Sequence, residues 1–310
     1  MAEPAQEVEV EHVEHRCGFV ALIGAPNVGK STLINALVGA KISIVTPKVQ
    51  TTRTLIRGIA IADGAQLIFV DTPGIFSPRR RLDRAMVGSA LASTQDADLV
   101  VVVIDARRGV MDDDERILRE LAGLRAPKIV VLNKIDLVDK PALLALTRKL
   151  NESANFAATF MISALSGDGV ADLKHWLAAN VPAGPWLYPH DQISDAPLRQ
   201  LAAEITREKL YLRLHQELPY QSTVETEVWK ELRDGSVRIE QTVYVARDSQ
   251  RKIVLGKGGQ TIKAIGAAAR AEIAAAIEQP VHLFLHVKVR EGWMDDPERY
   301  RAMGLEFPNE

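Results

Sequence analysis

The 310-residue sequence predicts a doubly wound α/β domain with a mostly parallel sheet over residues 16–181, followed by a smaller α+β domain over 197–310. Short, nearly continuous apolar runs recur at GFVALIG (18–24), QLIFVDTPG (66–74), DLVVVVIDA (98–106) and KIVVLNKID (128–136). Runs with so little alternation belong to strands buried on both faces, and helical stretches separate them. VPAGPWLYPHDQISDAP (181–197) then places four prolines in seventeen residues, which neither a helix nor a central strand tolerates; residues 182–196 read as a linker. Beyond it the pattern changes to alternating strands and a long alanine-rich helix.

In the first domain the predicted helices are Ser31–Val38, Asp83–Thr94, Asp112–Leu124 and Pro141–Leu150. In the second, Pro197 to about Gln216 is a helix with apolar positions at Leu198, Leu201, Ile205, Leu210, Leu212 and Leu214. Two alternating strands, 222–232 and 236–247, are joined by Asp234 and Gly235; 253–277 is helical after its glycines, and 281–289 is a strand. The first fifteen residues are acidic, lack the apolar core of a secretory signal and read as a disordered extension. Hydrophobic residues make up 47% and charged residues 25%, with a net charge of −2, so only local charge clusters can indicate a nucleic-acid partner. Cys17 is the only cysteine, which excludes an internal disulfide and favours the cytoplasm; no apolar run is long enough to span a membrane.

GAPNVGKS comprises Gly24, Ala25, Pro26, Asn27, Val28, Gly29, Lys30 and Ser31, with Thr32 next, between a predicted strand and a helix. This G-x-x-x-x-G-K-[ST] pattern is a phosphate cradle: glycines let consecutive N–H groups face a phosphate chain, the lysine meets the β and γ phosphates, and the serine hydroxyl ligates magnesium. NKID adds base selectivity through Asn133, Lys134 and Asp136. The Asp136 carboxylate can accept from N1–H and the 2-amino group of guanine, whereas adenine would leave it without partners. In DTPG, Asp71 would reach magnesium through water, Thr72 and Pro73 follow it, and the Gly74 N–H would meet the γ phosphate. TPKVQTTRT (46–54) suits the first switch; either Thr51 or Thr52 completes the magnesium shell, with Thr52 favoured. Ser163, Ala164 and Leu165 would contact guanine O6 through backbone N–H groups. Ile75 follows DTPG and cannot orient a water as glutamine does. Lys30, Thr52, Gly74 and Asn27 are therefore the expected catalytic groups. Asn27 either ligates a monovalent cation such as potassium or only caps the loop.

Gly256-Lys257-Gly258-Gly259 forms a G-x-x-G loop between helical segments, the context of a KH domain, where such a loop clamps single-stranded RNA. Six basic residues against one acid lie between Arg247 and Arg270, although the chain from Asp191 onward carries 17 basic and 19 acidic residues. Arg251, Lys252, Lys257 and Lys263, with the three loop glycines, are the predicted RNA contacts.

GAPNVGKSTL, KISIVTPKVQTTR, DTPGI, NKID and SAL, followed by the KH loop and the tail from Trp293 to Phe307, resemble the Era family of ribosome-assembly GTPases over residues 16–308. The resemblance implies a P-loop NTPase domain followed by a type II KH domain, with GTP or GDP and Mg2+ as ligands. It further implies binding of the 3′ end of small-subunit ribosomal RNA, a role in maturation of the 30S subunit, and a cytoplasmic protein that associates peripherally with the inner membrane. DNA is not an expected partner, and the chain is expected to be monomeric. The alternative is a passive RNA-binding assembly factor in which nucleotide is only structural. The basic cluster RRRLDR (79–84) either touches RNA or forms a mobile switch.

Overall fold

The computed structural model describes residues 15–48, 51–53, 55–76, 78, 80–215, 218–293 and 296–307. The acidic extension up to residue 14, Val49, Gln50 and Thr54 of the first-switch stretch, and Arg79 of the basic cluster lie outside the described residues. The N-terminal domain contains β1 (Arg16–Ile23), α1 (Lys30–Val38), β2 (Ile56–Ala62), β3 (Ala65–Asp71), α2 (Arg81–Gln95), β4 (Leu99–Asp105), α3 (Asp112–Glu120), β5 (Lys128–Asn133), α4 (Lys140–Ser153), β6 (Ala158–Met161) and α5 (Val170–Asn180). Its sheet order is β2-β3-β1-β4-β5-β6, parallel except for the antiparallel edge strand β2.

The apolar runs are buried on both faces because successive side chains enter different cores. Val20 and Leu22 of β1 pack with Leu33 and Ile34 of α1 and Leu173 and Leu177 of α5. Ala21 and Ile23 pack on the other face with Val87 of α2, Ile117 of α3 and Leu150 of α4. Since β1 pairs with β3 on one side and β4 on the other, the chain leaving its carboxyl end opens into the crevice where doubly wound sheets bind ligands.

The sequence reading missed β2, so NKID follows the fifth strand rather than the fourth. Asp63 and Gly64 both take left-handed backbone conformations, with φ of 49° and 76°, and close a tight hairpin between β2 and β3. Helix α3 is also shorter than expected, ending at Glu120 with turns through Gly123. The proline-rich segment is not free: Ile59 N–H donates to Ile193 O at 2.9 Å, Cys17 N–H to Pro182 O at 3.1 Å, and the Gln66 side chain accepts from the N–H groups of Leu187 and Tyr188. It runs along the β2–β3 edge as part of the first domain's surface.

The C-terminal unit contains α6 (Leu198–Arg213), β7 (Ser222–Glu231), β8 (Val237–Val245), α7 (Asp248–Leu255), α8 (Gln260–Ile277), β9 (Val281–Val289) and α9 (Pro297–Ala302). β7 pairs antiparallel with β8, and β9 lies parallel to β8. Ile205, Ile239, Ala269 and Ile273 close one end of its core, while Leu210, Val243, Val254 and Ile265 close the other.

Candidate functional site

The phosphate loop joins β1 to α1. Gly29 caps α1 with a φ of 102°, and a Cβ there would lie 2.2 Å from Asn133 Nδ2, so only glycine suits both the backbone and the space. Pro26, Asn27, Gly29, Lys30, Ser31 and Thr32 line a cavity of about 430 Å3 with Thr46, Thr51, Thr52, Gly74 and Lys134. The buried Lys30 ammonium donates to Gly24 O at 3.0 Å and Ala25 O at 3.1 Å. Burial pulls its pKa down to about 8, against the opposing influence of the Asp71 carboxylate. Positive charge held in this way is suited to an incoming phosphate chain.

Beside Lys30, three oxygens converge. Ser31 Oγ lies 3.0 Å from Thr52 Oγ1 and donates to Asp71 Oδ2 at 3.0 Å; Thr52 Oγ1 donates to the same carboxylate oxygen at 3.2 Å. Thr51 Oγ1 instead bonds Thr46 Oγ1 at 2.7 Å and donates to Lys48 O at 2.7 Å, so Thr52 is the threonine brought to the cluster. Burial raises the Asp71 pKa, while the hydroxyl of Ser43, Lys30 and the two other hydroxyls oppose it. The other carboxylate oxygen, Oδ1, is buried without a hydrogen-bond partner among the described residues. Two hydroxyls and one carboxylate are too few to enclose a cation, but they fit magnesium, which takes one or two carboxylates and completes its shell with water and phosphate oxygens. Ser43, whose Oγ donates to Asp71 Oδ2 at 2.5 Å, was given no role by sequence reasoning although it lies within KISIVTPKVQTTR, because nothing in that stretch marks a serine as the partner of Asp71.

The base-recognition loop is tied to the phosphate loop by Asn133. Its Nδ2 donates to Val28 O at 2.8 Å, and its Oδ1 accepts from Lys134 N at 2.8 Å and Ala164 N at 2.9 Å. Lys134 adopts a left-handed φ of 66° and donates to Asp105 Oδ2 at 2.6 Å and Asn27 O at 2.7 Å. Asp105, at the end of β4, is a second residue the sequence reading did not find. Asp136 is exposed beside this loop. Of the three N–H groups expected at guanine O6, that of Ser163 is bonded to Asp168 O and that of Ala164 to Asn133, while the Leu165 N–H has no partner among the described bonds. Thr72 turns its hydroxyl away to Leu22 O at 2.6 Å, which braces the strand rather than facing the cavity. Ile75 is fully buried in the core, and its N–H donates to Gly24 O at 3.1 Å. Asn27, at φ 64°, donates from Nδ2 to Pro47 O at 3.0 Å, which links the phosphate loop to the first-switch stretch.

In the C-terminal unit, Gly256 has φ 72° and ψ 174°, and a Cβ there would lie 2.2 Å from Thr261 Oγ1. The loop backbone is thus compact between α7 and α8, with Lys257 and Gly258 exposed at its tip. Arg251, Lys252 and Lys263 are exposed around it; Arg251 and Lys252 lie 3.6 and 3.2 Å from Asp248, so the basic face is partly self-compensated. The exposed Ile253 adds an apolar surface beside the loop.

The two units meet at both switch-like segments. Arg53 is buried against the C-terminal unit, and α2, the helix after DTPG, packs Leu82 and Met86 against Tyr300 and Leu305 of the tail. Residues 80–84 of the basic cluster belong to α2 and its N-cap, and the Arg81 guanidinium lies 5.0 Å over the Phe307 ring.

A family model described as "50S ribosome-binding GTPase" matches residues 19–134, and one described as "KH domain" matches residues 217–294. The chain is 68% identical over 295 residues to the GTPase Era of Afipia carboxidovorans, covering 95% of this chain and 96% of that protein. It is 64% identical over 300 residues to the GTPase Era of Brucella suis, covering 97% and 96%. Among solved structures, Era in complex with MgGDPNP and nucleotides 1506–1542 of 16S ribosomal RNA superposes with a TM-score of 0.89 at 38% identity, covering 94% of this chain and 99% of that one. A variant of Aquifex aeolicus Era bound to GDP·AlF4− gives a TM-score of 0.88 at 38% identity, covering 93% and 99%. With these matches spanning the phosphate loop, the base-recognition loop and the glycine loop alike, the chain belongs to the Era family: it is a GTPase that carries a C-terminal KH domain.

Proposed function

We propose that this GTPase is a nucleotide-governed switch that holds the 3′ end of small-subunit ribosomal RNA in its KH unit and assists maturation of the 30S subunit. The observation that carries this reading is that both segments expected to sense the γ phosphate touch the KH unit, Arg53 on one side and α2 on the other. The RNA assignment rests on the exposed glycine loop with its basic surround, and on the relative solved with 16S ribosomal RNA.

In this reading the G domain spans 16–181 and the KH domain with its tail 197–310. The phosphate loop from Gly24 to Thr32 cradles the phosphates, Lys30 meets the β and γ groups, and the Gly74 N–H meets the γ phosphate. Asp136 and the loop at Ser163–Leu165 read guanine, with Asn133 joining base and phosphate recognition. Ser31 and Thr52 would hold magnesium directly and Asp71 through water; when bound, the ion neutralises charge on the phosphate oxygens. Arg251, Lys252, Lys263 and Gly256 to Gly259 grip the RNA backbone. Buried Ile75 leaves the attacking water to other groups, and we read Asn27, which lines the cavity, as a ligand for potassium as the neutralising helper. Equal turnover in sodium and potassium buffers would rule that helper out.

A ribosomal partner makes the cytoplasm the working compartment. Among the described residues no helix is long and apolar enough to cross a membrane, so contact with the inner membrane would be peripheral. We read the chain as a monomer, which light scattering tests. The central test is the affinity for an oligonucleotide from the 3′ end of 16S ribosomal RNA, measured with GDP and with a non-hydrolysable GTP analogue. Linkage demands that RNA alter nucleotide affinity by the same factor that nucleotide alters RNA affinity. Equal affinities in the two states would remove the switch and leave a passive RNA-binding factor.

A further inference from the structure

We infer that Arg53 is a positioning residue for GTP hydrolysis: its guanidinium, seated in the KH unit, fixes the neighbouring Thr52 at the metal side of the phosphate site. This rests on Thr52 being the magnesium-ligating threonine, as proposed above.

Arg53 lies between the two units yet belongs chemically to the second. Only 2% of it is exposed. Nη1 donates to Ser222 O at 2.9 Å, while Nη2 donates to Tyr211 Oη at 2.7 Å, Tyr220 O at 3.0 Å and Pro219 O at 3.3 Å. The rings of Tyr211 and Trp293 lie 5.7 and 5.8 Å from the guanidinium carbon. Each of these partners is in the C-terminal unit. The acceptors are neutral, so the buried charge is held by hydrogen bonds and ring faces rather than by a carboxylate.

From the other direction, Arg207 of α6 donates to the carbonyl of Thr51, and Lys48 donates to the carbonyls of Tyr211 and Leu214. Residues 51 and 53 are therefore both held by the KH unit, and Thr52 is bracketed between them. Adjacent Cα atoms are about 3.8 Å apart, so displacement of Arg53 is passed directly to Thr52. Thr52 Oγ1 then lies 3.0 Å from Ser31 Oγ and 3.2 Å from Asp71 Oδ2. A KH unit docked elsewhere would strip Arg53 of its acceptors and release this threonine. The C-terminal unit thus helps build the metal site without touching nucleotide.

The test uses the full chain without RNA. It measures retention of a fluorescent GTP analogue as magnesium is titrated, and hydrogen exchange over residues 46–56. Arg53→Lys keeps the charge but loses the fork; Tyr211→Phe keeps the ring and removes one acceptor on the far side of the interface. Arg53→Lys is expected to raise the half-saturating magnesium concentration about tenfold, and Tyr211→Phe about threefold, as loss of hydrogen bonds to a charged group implies. The double variant should fall well short of the product of the two, because both break the same contact. Exchange over 46–56 should rise in each, while GDP affinity in chelator stays at the parent value.

Thr52→Ala calibrates the experiment. If it shifts the magnesium requirement and Arg53→Lys does not, the inference fails and the metal assignment stands. If Thr52→Ala itself leaves the requirement unchanged, the metal assignment fails and the inference falls with it. An equal loss of GDP affinity in chelator would mark a folding defect and also overturn the positioning role.

Discussion

Replacing Asn133 with aspartate keeps the shape of the side chain but exchanges its NH2 group for an oxygen of an ionisable carboxyl. In the parent, Nδ2 donates to Val28 O at 2.8 Å while Oδ1 accepts two backbone N–H groups. The side chain is buried, with 2% exposure, so water cannot substitute. An ionised aspartate would set a carboxylate oxygen against the Val28 carbonyl. The alternative is protonation, which restores the donor. Keeping the carboxyl neutral at pH 7, when its unperturbed pKa is about 3.9, costs about 1.36 kcal/mol per pH unit, or about 4 kcal/mol. At pH 5 the same cost is only about 1.5 kcal/mol. The sign follows from proton uptake: the native variant binds a proton that the unfolded chain has released, so stability falls as pH rises above about 4 and levels once the raised native pKa is passed. For a unit of this size about 1 kcal/mol corresponds to about 2–4 °C in Tm. The G domain of Asn133→Asp should therefore melt about 8–16 °C below the parent at pH 7 and about 3–6 °C below at pH 5. Calorimetry at a fixed GDP concentration, with GDP affinity measured in parallel, provides the check. A pH-independent difference, or parent-like affinity at pH 7, would refute the role of Asn133 as the tie between base and phosphate loops.

Three further outcomes are expected. Burial holds the Lys30 pKa at about 8 against an ordinary 10.5, so the nucleotide-free fold carries fewer protons than the unfolded chain between those values and this contribution to stability rises with pH across that window. Bound phosphates return the proton, so GDP affinity should fall between about pH 7.5 and 9, by at most about tenfold per unit; a flat profile would contradict Lys30 as the phosphate contact. Asp136→Asn exchanges a carboxylate for an amide, so GTP affinity should drop about 100-fold while xanthosine triphosphate, with an oxygen in place of the 2-amino group, gains; competition binding reads both. Gly256→Ala places a methyl 2.2 Å from Thr261 Oγ1 at a φ of 72°, so binding of the ribosomal oligonucleotide should be lost at unchanged basal GTP turnover, as filter binding and phosphate release would report.

Much of the candidate site was legible because the phosphate and guanine recognition proposed for it demands particular groups at short, fixed separations along the chain. Gly29, Lys30, Ser31 and Asn133 are such groups, and strands buried on both faces announce themselves as apolar runs. β2 escaped because Gly58 and the flanking Arg57 interrupt its apolar pattern, although Asp63-Gly64 carried the signal of a two-residue hairpin. Ser43 and Asp105 escaped for a different reason. Their partners, Asp71 and Lys134, lie 28 and 29 residues away, and no periodicity encodes a pairing made by the fold. Contacts between the two units are the extreme case. Arg53 looks in sequence like a solvated switch residue, yet its acceptors lie 158 to 169 residues further on. The spacing could favour Thr52 over Thr51, but only the fold, by drawing Thr51 to Lys48, separated them.

The proline-rich segment, stitched to the sheet edge, has a consequence for how far the KH unit can travel. Ser194 forms a bridge with Gly58, and Asp195 receives an ion pair from Arg57 at 3.2 Å, so the chain is moored almost to the first turn of α6. Only Ala196 and Pro197 separate this mooring from Leu198. Two extended residues reach about 7 Å. While the mooring holds, a KH unit that left its docked position would stay on a short tether within reach of the G domain, so re-docking would be an intramolecular event at high effective concentration. Larger excursions require the segment to peel from the β2 edge, which makes Ser194 and Asp195 the catch that sets the length of the leash.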